Sequence, residues 1–141
     1  MSAPRDIADS LESVISTYFS DVRHKLRAAF ILQDELVEMS CKAKARVAHP
    51  TLGRITFVPL LKLPAVGLDP TTTALGATLE RNHDIRNQLL HGNAAFTVDD
   101  QHCADAILDT VQTIEHCFPN TRAALAIRVA VGSTSQIAVS G

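Results

Sequence analysis

"RNHDIRNQLLHGN", residues 81–93, is polar throughout, yet Ile85, Leu89 and Leu90 fall at the spacing of a helix that packs into a core. The stretch carries two arginines, two histidines and three asparagines. A helix is expected to start near Asp69-Pro70, with proline at its permitted first position, and to run to about Leu90, closed by Gly92-Asn93. At about 100° per residue, Asn87 and His91 lie about 40° apart, and Arg86 stands about 140° from His91. Asn87 and His91 thus share one polar sector with Arg86 on its flank, while Ile85 and Leu89 anchor the other side. His91 falls at the frayed C-terminal end, where the helix dipole favours an imidazolium.

The flanking chain supplies partners for this helix. Residues 5–18 repeat apolar side chains at Ile7, Leu11, Val14, Ile15 and Tyr18, an amphipathic helix. A second helix is expected over about 21–47, with Val22, Leu26, Phe30, Leu36 and Val37 on its apolar face. The "FSD" step at 19–21 separates the two, as a kink or a short turn. Residues 48–70 hold four of the six prolines and read as a long irregular connection, with a short strand or helical turn around Ile55–Leu63. After residue 93, Thr97 with Asp100 resembles a capping box for a helix over about 98–117, ended by Pro119. Its stripe is Ala104, Ile107, Leu108, Val111 and Ile114. Beyond it the period changes: Leu125, Ile127, Val129 and Val131 alternate as in a strand. "GSTS" at 132–135 would turn that strand back toward Ile137 and Val139.

The expectation is therefore an all-α fold, an antiparallel bundle of four main helices with a short extended or β C-terminal tail. Residues 1–120 would form the bundle and 121–141 the tail. A chain of 141 residues that is 46 % hydrophobic can build one core without staples. Aromatics make up only 4 % and tryptophan is absent, so aliphatic residues must fill that core. The net charge of −2 provides no global positive field for polyanions and leaves room only for a local basic patch. "VRHKLR" at 22–27 and "CKAKAR" at 41–46 are either such a patch or solvated helix faces. No apolar run reaches the ~18 residues of a membrane span. The N-terminus lacks a secretory apolar segment, and the three cysteines are sparse, so a reduced, cytoplasmic location is expected.

Arg86, Asn87 and His91 suit phosphodiester chemistry. Arginine offers a forked, permanent cation to phosphate oxygens. Histidine takes and gives protons near neutrality. Asparagine can orient either neighbour, and none of the three needs a metal or cofactor. Other polar pairs carry less. His83-Asp84 resembles a metal-binding pair but points two ways on a helix and lacks a second ligand cluster. His102-Cys103 and His116-Cys117 are separated by about 21 Å along one helix, too far for a shared zinc or a disulfide. "LGR" at 52–54 and "VGLDP" at 66–70 lack the pattern of a glycine-rich phosphate loop.

"IRNQLLHG", a polar linker and then "TVDDQHCADAILDTVQTIEHCF" resemble the HEPN superfamily over roughly residues 5–118. That family's signature is an arginine, a polar residue, three variable residues and a histidine on the penultimate core helix of a small antiparallel bundle. Arg86, Asn87 and His91 match it position by position. The resemblance implies a metal-independent endoribonuclease acting as a homodimer, with the two motif helices facing each other across one composite site. It implies attack by the ribose 2′-OH on the adjacent phosphate, with His91 as general acid or base, Arg86 stabilising the phosphorane and Asn87 supporting the geometry. RNA is the implied substrate, and an antitoxin or regulatory protein the implied further partner. The connection at 48–70 is longer than is usual in that family, and the strand-like tail lies outside its core pattern.

Two plainer readings stand beside this one. Arg86 and His91 would be surface residues flanking a helix end, or the chain would be a catalytically silent HEPN-like protein-interaction or regulatory module, similar to the mannitol-repressor branch.

Overall fold

The structure is a computed structural model that describes residues 3–21, 23–92 and 97–119. All regular structure among them is helical, in five helices: α1 (Ala3–Phe19), α2 (Lys25–Ala48), α3 (Phe57–Lys62), α4 (Ala74–Leu90) and α5 (Asp100–Cys117). The strand-like tail at 121–141 lies outside the described residues, as do Val22 and Asn93.

The apolar spacing of α1 translates directly into burial: Ile7, Leu11, Val14 and Tyr18 are all covered. They meet Ala29, Phe30 and Leu36 of α2, Leu89 of α4, and Cys103 to Ile114 of α5 in the larger core cluster. A second cluster fills the other end. There Val37, Cys41 and Ala45 of α2 pack with Phe57, Leu60 and Leu61 of α3, and with Val66, Leu68, Leu79 and Cys117. Each fully buried leucine, isoleucine or phenylalanine contributes about 1.5–3 kcal/mol by leaving water. α2 is thus the central helix, touching all the others.

Side-chain contacts give the helix senses. Arg27 near the start of α2 bonds the carbonyl of Leu89 at the end of α4 (2.7 Å), while Asp34 further along reaches back to His83; α2 and α4 therefore run in opposite senses. Leu26 meets Cys103, and Gln33 meets Thr110 at 2.7 Å, so α2 and α5 run in the same sense. Tyr18 at the end of α1 lies beneath Lys25 at the start of α2, at 5.9 Å. One end of the molecule thereby gathers the end of α1, the start of α2, the end of α4 and the start of α5.

Three boundaries differ from the expected ones. α2 begins at Lys25 rather than near 21, because the chain turns through His24 in the left-handed region (φ 61°) after Ser20 Oγ has bonded the Thr17 carbonyl. The "FSD" step thus ends α1, and residues 23–24 form a turn before α2. α4 begins at Ala74, not at Asp69-Pro70. Asp69 builds its own turn instead: its carboxylate accepts from the N–H and hydroxyl of Thr71 (2.9 and 2.8 Å), and its carbonyl accepts from the N–H of Thr73. Such a side-chain turn competes with helix, and the helix cap passes to Thr73, whose hydroxyl accepts from Gly76 N–H at 3.1 Å. The two hydrogen bonds from Thr71 hold the Asp69 carboxyl below its ordinary pKa. At α5 the cap is Asp99, which accepts from His102 N–H at 2.7 Å, in place of Thr97. A carboxylate also suits the positive end of the helix dipole.

Within 48–70, the segment around Ile55–Leu63 is the helical turn of the two alternatives. Pro59 is the third residue of α3, where no intrahelical N–H is required. α3 brings Phe57 against α4, and this positions the site described next.

Candidate functional site

Arg86 and Asn87 come together: Arg86 Nη1 donates to Asn87 Oδ1 at 2.8 Å. Arg86 is half-buried because it turns toward α2, where its Nε lies 3.5 Å from Asp34 Oδ2. Asp34 is only 2 % exposed, and a buried carboxylate needs partners. It has two, since Oδ2 also meets His83 Nδ1 at 2.9 Å. That partner places the ring proton on Nδ1, facing the carboxylate, and leaves Nε2 as the second ring nitrogen. His83 lies face to face on Phe57, with centroids 4.2 Å apart and planes 11° apart. His83 and Arg86 stand three residues apart, so both look toward α2.

His91 is elsewhere. It is the C-cap of α4, its N–H bonded to the Asn87 carbonyl at 3.0 Å, and it is exposed. Beside it Leu90 is 47 % exposed, and Phe19, at the same end of the molecule, is 54 % exposed. Arg27 holds this end of α4 in place through the Leu89 carbonyl. Of the three expected site residues, one chain joins two and presents the third outward from the tip.

Arg86 also lines an open groove of about 420 Å³ between α2, the 54–57 segment and α4. Glu38, Lys42, Arg54, Ile55, Thr56, Phe57 and His83 complete its walls. The two basic stretches noted in the sequence disperse. Lys42 enters the groove and pairs with Glu38 at 3.4 Å, whereas Lys25 covers Tyr18 and Arg27 caps α4. Sequence reading missed Asp34, Arg54 and the role of His83. Asp34 lies 49 residues before His83, and no local spacing links them. The only available signal was an acid beside the apolar stripe of the second helix.

Several other polar groups have structural partners. Asn82 is buried and donates to Asp109 at 3.3 Å; burial pushes that carboxyl up, and Asn82 opposes the shift. His116 bonds the Val66 carbonyl at 2.6 Å, and His102 meets the edge of Phe30. All three cysteines are free and buried. Burial drives the Cys103 thiol up to about 12. Cys41 is raised by its hydrogen bond with Cys117 and then by burial. Among the described residues no group of three or more His, Cys, Asp or Glu side chains could hold a metal ion, and no helix is long and apolar enough to cross a membrane.

No protein-family model, curated protein or solved structure matches the chain.

Proposed function

We propose that the chain is a metal-independent endoribonuclease of HEPN type, working as a homodimer in which α4 of each copy contributes to one composite site. The observation that carries this reading is the division of the motif. Arg86 is half-buried and braced by Asp34 and Asn87 at the lip of a groove, while His91 is exposed at the tip of the same helix. A second copy facing that tip would complete the set. The exposed Leu90 and Phe19 give the same end an apolar contact surface, of the kind that marks interfaces. The four long helices α1, α2, α4 and α5 are read as the family's antiparallel bundle, with α3 as an insertion between the second and third.

In this mechanism a ribose 2′-OH attacks the adjacent phosphorus and the P–O5′ bond breaks. His91 transfers a proton to or from the reacting oxygens, and Arg86 neutralises the phosphorane. DNA lacks the attacking hydroxyl and is not cut. A catalytically silent interaction module is the second reading, and the Asp34–Arg86 ion pair favours it, because that pair gives the arginine a structural role. Cleavage of single-stranded RNA in EDTA separates the two. His91→Ala, at an exposed position, should keep the melting temperature and lower the rate by at least about 100-fold. Equal rates for the two proteins would remove His91 from the reaction and overturn this mechanism, and no cleavage by either would leave the silent module standing.

A further inference from the structure

We propose that the groove between α2, the 54–57 segment and α4 is a phosphate subsite for single-stranded RNA, with Lys42, Arg54 and Arg86 as its donors and the His83 ring in its wall. The inference rests on the reading above for the class of ligand, and on the groove itself for the location. A chain of net charge −2 places three permanent cations and an imidazole around one opening. Two of these cations already have acid partners, Arg86 with the buried Asp34 and Lys42 with Glu38, so the opening keeps its excess of positive charge through Arg54. Arg54 is exposed on the groove wall.

The imidazole is held rigidly for such a task. Phe57, 4 % exposed, supports one face of the His83 ring, and Asp34 fixes Nδ1. Nε2 remains, and it donates to a phosphate oxygen only when the ring carries a second proton. The groove volume of about 420 Å³ is in the range of small-ligand sites and suits a phosphate with its sugar. The buried Phe57 ring offers no face for a base to stack on, so the groove reads backbone charge rather than sequence. Arg86 lines the groove and stands five residues before His91 on α4. A strand seated here would therefore run from Arg54 and Lys42 toward the scissile phosphate.

The test measures binding of a 2′-O-methyl single-stranded RNA, which cannot be cut by 2′-OH attack, across a salt series. The proteins are wild type, the double variant Lys42→Ala/Arg54→Ala, and Arg81→Ala. Arg81 is an exposed arginine of α4 that lies outside the groove. The double variant should bind about 10-fold more weakly, and its plot of log affinity against log salt should be shallower by about 1.4, given roughly 0.7 for each of the two phosphate contacts removed on single strands. Arg81→Ala should match wild type. Equal affinity and slope in the double variant would overturn the subsite, as would an equal loss in Arg81→Ala. Wild type that binds as described but cuts no RNA would refute the nuclease and keep the groove. Wild type that does not bind the RNA at all would refute the groove.

Discussion

Gly76→Ala is expected to lower the unfolding free energy by about 3 kcal/mol, in the upper range for overpacking at a close contact. In an ordinary helix the same change would be favourable by about 1 kcal/mol, because alanine is the better helix former. Here a Cβ would stand 2.1 Å from the Leu68 carbonyl oxygen, 2.8 Å from its carbon and 2.5 Å from Thr73 Oγ1. The first two are backbone atoms, and Leu68 is buried with its own N–H bonded to the Leu61 carbonyl. The third is the cap of α4 itself. No flexible side chain is present to yield, so the start of α4 must move or the cap must break. The melting midpoint should fall by roughly 10 °C for a domain of this size. An unchanged or higher midpoint would mean that the 66–73 segment is more compliant than its hydrogen bonds indicate.

Arg86→Ala carries the largest expected effect on activity. Loss of a fixed donor to a phosphorane typically costs ~10²–10³ in rate. Arg86→Lys should recover only part of it, since a lysine keeps the charge and loses the fork that meets both Asp34 and a phosphate oxygen. Arg86→Ala also leaves Asp34 with His83 as its remaining partner, so some loss of stability accompanies the loss of rate. Rates should therefore be compared well below each protein's melting midpoint. Asp34→Asn serves as the reference: it removes the same ion pair while leaving the guanidinium in place. If Arg86→Ala and Asp34→Asn lost equal activity and equal stability, Arg86 would be structural and the second reading would gain.

The long helices were legible because their apolar residues recur at helical spacing; Ile7, Leu11, Val14 and Tyr18 are all buried. Their starts were less so. At Asp69 and Asp99 the deciding event is a carboxylate choosing between nearby N–H groups, and several threonines and aspartates in each stretch are chemically able to make that choice. Thr73 and Asp99 won because their positions let the following helix dock its apolar face. At the candidate site, Arg86 and Asn87 were legible as a pair, being adjacent on one helix. Asp34 and Arg54 were not, because only the packing of α2 and of the 54–57 segment against α4 brings them to Arg86 and His83. The inward turn of Arg86 was hidden for the same reason, since the helical period gives angles between side chains but does not say which face a neighbour will cover.

The central claim is that Arg86 and His91 act on one phosphodiester through its own 2′-hydroxyl. The most direct measurement is the chemistry of the ends left on RNA by the wild-type protein in EDTA. Attack by the 2′-hydroxyl leaves 2′,3′-cyclic phosphate on one fragment and 5′-hydroxyl on the other. Fragments ending in 3′-hydroxyl and 5′-phosphate would show water or another nucleophile attacking, and would contradict the claim.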